Sequence, residues 1–211
     1  MSPGFAPMTN APAERPHQVA SRHVRLRMPA ACIAVVLLCL APLCAVADNN
    51  AAAMQPLATI AAVDLSRYMG TWYEIARYPN SFQKKCVGYT RADYSVNPDG
   101  TIKVANQCRL ASGATDLAVG AARGVGPAGS PKLKVRFAPA WLSFIPLVWG
   151  DYWIIDLDDA YRLVAVSEPK REYLWILSRT PKVDTAAYDA LLGRLRAKGF
   201  DLQKLIVTPQ S

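Results

Sequence analysis

Between Gly70 and Arg179 the chain is cut into short runs that alternate apolar and polar residues. The cleanest is Lys132-Leu133-Lys134-Val135-Arg136-Phe137, where a period of two puts three apolar side chains on one face and three cations on the other. Ile102 and Val104 oppose Lys103 and Gln107 in the run 101–109 in the same way. Further β-favouring runs cover 70–78, 87–96, 116–124, 151–157, 162–167 and 172–179. They are separated by Pro79-Asn80, by Asn97-Pro98-Asp99-Gly100 (a strong hairpin signal), by a Gly/Pro turn at 126–131, and by the breaks at 158–160 and 168–170. Asp64 caps one short helical turn ahead of the first run. One longer helix follows the last, capped by Asp184 and running to Lys198, with Tyr188, Leu191, Leu192 and Leu195 on a stripe and Gly199 at its stop. A short strand at 202–207 closes the pattern. Eight sequential strands and one late helix predict an all-β fold: an eight-stranded antiparallel up-and-down β-barrel with a C-terminal α-helix packed outside it. Such a barrel can enclose one small ligand.

The first 47 residues do not belong to that pattern. Arg22, Arg25 and Arg27 precede an apolar run from Ala30 to Ala41, too short to span a membrane, and Ala45-Val46-Ala47 supplies a small-x-small cleavage site. The sequence thus predicts a signal peptide over 1–47, a flexible N-terminal segment over 48–63 and the barrel domain over 64–211. Cys39 and Cys44 each follow a leucine, which makes a poor lipoprotein signal. Export to the periplasm, with or without association with the outer membrane, is the expected location.

Cleavage changes the chemistry available. Both histidines, His17 and His23, leave with the leader, and so do three of the five cysteines. A chain without histidine has no His-based acid–base pair, no Ser-His-Asp triad and no His-ligated zinc. No metal-spaced cluster or Gly-rich phosphate loop appears, so neither metal nor cofactor is expected. Cys86 and Cys108 remain in an oxidising compartment and are expected to form a disulfide worth about 3 kcal/mol. The hairpin at 97–100 sets Cys108 against a residue near 90 rather than against Cys86, so the bond requires a bend or bulge after Cys86. The net charge of the remaining chain is about +5. Its cations alternate along strands or are scattered, unlike a nucleic-acid footprint.

Three segments resemble a known family. Gly70-Thr71-Trp72-Tyr73-Glu74-Ile75-Ala76-Arg77 is similar to the opening motif of the lipocalins, Gly150-Asp151-Tyr152 sits where their second motif lies, and Tyr173 to Pro181 matches the third. The likeness runs over about 63–207 and is strongest to the bacterial lipocalin branch, itself similar to apolipoprotein D and the plant temperature-induced lipocalins. It implies structural roles for Gly70, Trp72 and Arg179, with the guanidinium stacked on the indole at the closed end. It also implies binding, storage or transport of a fatty acid, lysophospholipid or similar membrane lipid, by a monomer or weak homodimer without a cofactor. A lipocalin-type enzyme is the alternative. It would need a free Cys86 or Cys108 thiol, or a carboxylate pair from Glu74 and Asp156, and the two cysteines and two carboxylates also have ordinary structural uses.

With Trp72 and Arg179 facing inward, strand parity turns Tyr94, Val104, Asn106, Val135, Phe137, Tyr152, Ile154, Tyr173 and Trp175 into the barrel as candidate ligand-binding residues. The run at 116–124 offers only Ala118, Gly120 and Ala122 inward and leaves room. Asn106 is the candidate to orient a head group, unless the backbone satisfies its amide. A solid interior with no ligand space is the competing reading. At the open end, residues 138–149 concentrate Trp141, Phe144 and Trp149 with four aliphatics. Such a mouth loop is a lid, a peripheral membrane contact or a dimer contact.

Overall fold

The structure, a computed structural model, describes residues 55–211. The expected leader, its cleavage point and residues 48–54 lie outside the described residues. Residues 55–63 correct the expectation of a loose segment. Leu57 and Val63 are buried, and the backbone amides of Ile60 and Val63 donate to the carbonyls of Ile154 (3.1 Å) and Gly129 (2.8 Å). Alanine-rich composition suggested looseness, yet the apolar Leu57, Ile60 and Val63 suffice to dock the strap.

Asp64 then starts the short helix α1 (Leu65–Tyr68), its carboxylate accepting from the backbone amides of Ser66 and Arg67. Eight strands follow: β1 (Gly70–Arg77), β2 (Cys86–Val96), β3 (Ile102–Leu110), β4 (Thr115–Gly124), β5 (Lys132–Arg136), β6 (Gly150–Leu157), β7 (Leu163–Ser167) and β8 (Leu174–Ser178). Each pairs antiparallel with the next, and β1 pairs with both β2 and β8, so the sheet closes on itself. Helix α2 (Thr185–Ala197) comes after the barrel, its first turn capped by Asp184 and the following Gly199 at φ +86°.

Alternation divides the apolar residues into two cores. One lies inside the barrel around Trp72, Tyr94, Val104, Leu133, Ile154 and Val166. The other is outside, where Leu191 and Leu195 of α2 cover Ile155, Ala165, Leu174 and Ile176. Both leucines are fully buried, each worth about 1.5–3 kcal/mol.

Closure is uneven along β1. Its first half, Gly70 to Tyr73, pairs with β2; its end, Ala76 and Arg77, pairs instead with a short C-terminal strand β9 (Ile206–Val207). The expected strand at 202–207 is therefore a 3-10 turn at Leu202–Lys204 followed by this two-residue strand. Residues 208–210 fill the wedge that opens between β1 and β2. Thr208 donates its amide to Ile75, Pro209 accepts from the Tyr89 amide, and the Gln210 side chain donates to the carbonyls of both Glu74 and Thr90 at 2.7 Å. Gly88 has to be glycine here, because a Cβ would stand 2.7 Å from the Pro209 carbonyl.

Candidate functional site

At the closed end the barrel is plugged. Arg179 lies 4.0 Å from the Trp72 ring centroid and donates to three backbone carbonyls: Thr71 at 3.0 Å, Arg67 at 2.6 Å and Tyr161 at 3.2 Å. Gly70, at φ +95°, lets the guanidinium pass, since an added Cβ would sit 3.3 Å from its Nη1. Trp72 is fully buried and donates its indole N–H to the Tyr68 carbonyl at 2.8 Å.

Above this plug three phenols meet. Tyr152 hydrogen-bonds both Tyr68 (2.7 Å) and Tyr94 (3.1 Å) through the hydroxyls. Burial pushes all three phenols up, Tyr94 to about 12 and the other two well above the usual value, so they are neutral donors and acceptors. Tyr68 was not among the expected inward residues. It comes from α1 rather than from a strand, and strand parity says nothing about it.

The lower half of the barrel is solid. Val104 (1% exposed) and Ile154 (0%) are covered by Val164, Val166 and the tyrosines, so these two expected ligand residues are core. Alternation gives the face of a strand but not the depth, and both sit too deep.

The upper half is different. Asn106, Val135, Tyr152, Tyr173 and Trp175 point inward yet remain only partly buried, and the inward Ala118 is exposed. Phe137 stands over Gly120, where a Cβ would fall 2.8 Å from its ring, and it keeps 43% of its surface. Side chains inside a closed barrel keep accessible surface only if they face open space, and the inward Ala118 of β4 borders it. Tyr173 and Trp175 stack at 5.8 Å, and Phe82 from the β1–β2 connection joins them at the rim.

One wall of this space is polar, which the sequence did not suggest. Two β-bulges, between Glu74 and Ala76 and between Ile154 and Asp156, shift the parity of β1 and β6. Glu74, in register with Leu177, faces inward, and Arg77, in register with Trp175, does too. The Glu74 carboxylate accepts from Gln83 (2.7 Å) and Thr208 (2.5 Å) and lies 3.6 Å from Arg77 Nη1. Burial raises its pKa, with the Thr208 and Gln83 hydrogen bonds and Arg77 pulling the other way. Gln83 also accepts from the Trp175 indole at 3.0 Å, tying the rim to this cluster.

Glu74 and Asp156 do not come together. Asp156 faces outward and makes a two-pronged pair with Arg194 of α2 at 2.8 and 2.9 Å, an ordinary salt bridge, and so does not form the carboxylate pair that the alternative enzyme reading needs. Cys86 and Cys108 are bonded to each other, Cα–Cα 5.6 Å, and the required irregularity is there: the β2–β3 register shifts on both sides of Gly88.

The mouth loop, residues 138–149, makes 3-10 turns at Ala140–Leu142 and Pro146–Val148. Trp141, Phe144 and Leu147 project at 72%, 77% and 94% exposure. Trp149 corrects the expectation that it shares that exposure. It is buried against the outer wall, with the guanidinium of Arg123 4.1 Å and that of Arg136 5.3 Å from its ring centroid, and its indole donates to the Ser143 carbonyl. It anchors the loop that lifts the other three. Two further hollows lie on the outside: one of about 470 Å3 beside Asp156, Asp158 and Arg194, and one of about 360 Å3 over Tyr89, Arg91 and Arg109.

Residues 63–210 match the family model described as a lipocalin-like domain. Temperature-induced lipocalin-1 of Arabidopsis thaliana is 42% identical over 154 residues, covering 72% of this chain and 82% of that protein. Outer membrane lipoprotein Blc of Escherichia coli is 37% identical over 148 residues, covering 70% and 79%. Among solved structures, insecticyanin of the tobacco hornworm superposes with a TM-score of 0.57 at 19% identity over 72% of this chain and 84% of its own, a likeness of fold. With the plugged, closed barrel and its outer helix, these matches make the chain a member of the lipocalin family.

Proposed function

We propose that this lipocalin binds and carries a single-chain lipid, a fatty acid or lysophospholipid derived from a membrane, within the cell envelope. The observation that carries the reading is the upper half of the barrel, where Asn106, Val135, Phe137, Tyr152, Tyr173 and Trp175 surround open space next to the small residues of β4. Apolar and aromatic walls with a few polar points are the usual make-up of a ligand site. Each buried methylene contributes about 0.8 kcal/mol, so a long acyl chain gains on the order of 10 kcal/mol before ordering costs reduce it. Micromolar or tighter affinity follows.

The reading is one of binding without catalysis: both cysteines are bonded to each other, and Glu74 and Asp156 are each engaged with separate partners. The projecting Trp141, Phe144 and Leu147 beside the open mouth suit a loop that touches a membrane surface and receives lipid there. The chain's likeness to an outer membrane lipoprotein of Escherichia coli supports the envelope as the location.

Native mass spectrometry and organic extraction of the purified protein test the binding reading, which expects a stoichiometric single-chain lipid. A protein that carries none and takes up none from a lipid extract refutes it. Liposome flotation of the wild type against Trp141→Ser/Phe144→Ser tests the loop. Equal partitioning removes the membrane contact, and a change of oligomeric state in the variant assigns the patch to a dimer.

A further inference from the structure

We propose that the barrel contains a built head-group subsite on the wall formed by β1, β2 and β3, where Arg77 and Thr90 hold the oxyanion head, carboxylate or phosphate, of a single-chain lipid, with Asn106 beside them and the tail against Val135 and Phe137. The inference rests on the lipid-binding reading above and adds to it the polarity of the ligand and the direction in which it lies.

Three inward side chains of this wall carry a buried polar atom with no hydrogen-bond partner: Arg77 Nε, Thr90 Oγ1 and Asn106 Oδ1. An unmet buried polar group is costly, and such groups are few in a native protein, so three on one wall need a common explanation. Thr90 and Asn106 stand on paired strands, and Arg77 connects to them through Glu74, whose carboxylate lies 3.6 Å from its guanidinium. Gln210 reaches the carbonyls of Glu74 and Thr90 with a single nitrogen, which places β1 and β2 side by side at that level. Ala92, two residues from Thr90 on the same face, is in register with Asn106, and the bulge after Glu74 turns Arg77 inward beside Trp175. Thr90 is 7% exposed and the Arg77 side chain 11%.

The charge selects the class of head group. Glu74 is already served by Gln83 and Thr208 and meets Arg77 only through Nη1, at 3.6 Å. The Nε edge of the guanidinium therefore lacks an acceptor, and a planar fork of donors suits an oxyanion. The Thr90 hydroxyl adds a further donor, and Asn106 Oδ1 beside it is an acceptor that suits a hydroxyl adjoining the head group, such as that of a glycerol backbone. A neutral alcohol head can accept from Nε but brings one oxygen and no charge, so it forgoes the charge-assisted, two-oxygen contact that an oxyanion makes. Across the barrel, the exposed Ala118 leaves space for the chain, next to the Phe137 ring that packs on Gly120.

Intrinsic tryptophan fluorescence or calorimetry of the delipidated full-length protein at pH 8, with oleate, oleoyl lysophosphatidate and oleyl alcohol below their micelle concentrations, tests this. The wild type should bind at least one of the two anions tenfold or more tighter than the alcohol, and which anion it prefers tells carboxylate from phosphate. Arg77→Met should lose about tenfold or more for that anion, as a charge-assisted hydrogen bond implies, and less than twofold for the alcohol. Thr90→Val lies outside the Glu74–Arg77 pair and should lose about three- to tenfold for the anion alone, which keeps the test decisive if Arg77→Met does not fold. Equal wild-type affinity for all three probes, or losses that strike anion and alcohol alike, overturns the subsite and leaves the lipid-binding reading intact. Binding of no probe overturns both.

Discussion

Replacing Arg179 by lysine keeps the charge at the barrel floor and removes the plane that does the work. The guanidinium stacks on Trp72 at 4.0 Å and donates to the carbonyls of Arg67, Thr71 and Tyr161. A lysine ammonium can reach one of those carbonyls and cannot stack. Losing the stack costs about 1–2 kcal/mol. Two hydrogen bonds from a charged donor add about 1–2 kcal/mol, after allowing for water reaching a group at the rim of the plug. Arg179→Lys should thus destabilise the fold by roughly 2–4 kcal/mol. For a chain of this size that is a fall in Tm of about 5–15 °C, at about 2–4 °C per kcal/mol. Urea unfolding followed by circular dichroism should show a lower midpoint with an unchanged slope. Lipid affinity should stay within about twofold, because the plug lies below the packed tyrosines and away from the open half. A midpoint equal to that of the wild type would show that the floor owes its stability to packing alone and refute the reasoning.

The remaining predictions concern the walls. Cys86→Ser/Cys108→Ser should lower stability by about 3 kcal/mol, read as a reduced urea midpoint that matches the wild type measured under reducing conditions. Ala118→Trp should fill the open half and reduce lipid binding at least tenfold while shifting Tm little, since residue 118 is exposed inside the barrel; an unchanged affinity would place the ligand elsewhere. The raised pKa of Glu74 makes a pH signature. A carboxyl whose folded pKa exceeds its unfolded value of 4.5 contributes stability that is fully present below pH 4.5 and is lost as pH rises through the folded value. The stability of the wild type relative to Glu74→Gln should accordingly fall as pH rises from 4.5, and a difference that stays flat with pH counts against the buried carboxyl.

The legibility of this molecule in its sequence follows the range of each interaction. Period-two runs such as 132–137 identify strands because each side chain senses only its own face, and Asp64 and Asp184 cap helices within three residues. The disulfide was legible together with its bulge, because a tight hairpin fixes the register against which Cys86 can be counted. The bulges at Glu74–Ala76 and Ile154–Asp156 leave no compositional mark, and each reverses the faces beyond it. Arg77 is therefore turned to the open space against plain alternation, whereas Glu74, before the bulge, keeps the inward parity of Trp72. Their partners Gln83, Thr208 and Gln210 are polar residues of ordinary surface type, and Thr208 and Gln210 meet Glu74 only through contacts spanning more than 130 positions. Depth was equally hidden. Val104 and Asn106 share a strand and a face, and only the closed barrel shows that one is core and the other borders the open space.

The wedge of residues 206–210 between β1 and β2 has a consequence for how this protein comes into being. β1 cannot finish its pairing until residues 206–210, more than 125 positions later, have arrived, so the cup stays slit along one side until then. Contacts of such long sequence separation are slow to form, and an unpaired strand edge invites association with other chains while it waits. A bulky label placed on residues 206–210 would hold that slit open, and a small one there would be the most sensitive reporter of the cup completing its folding.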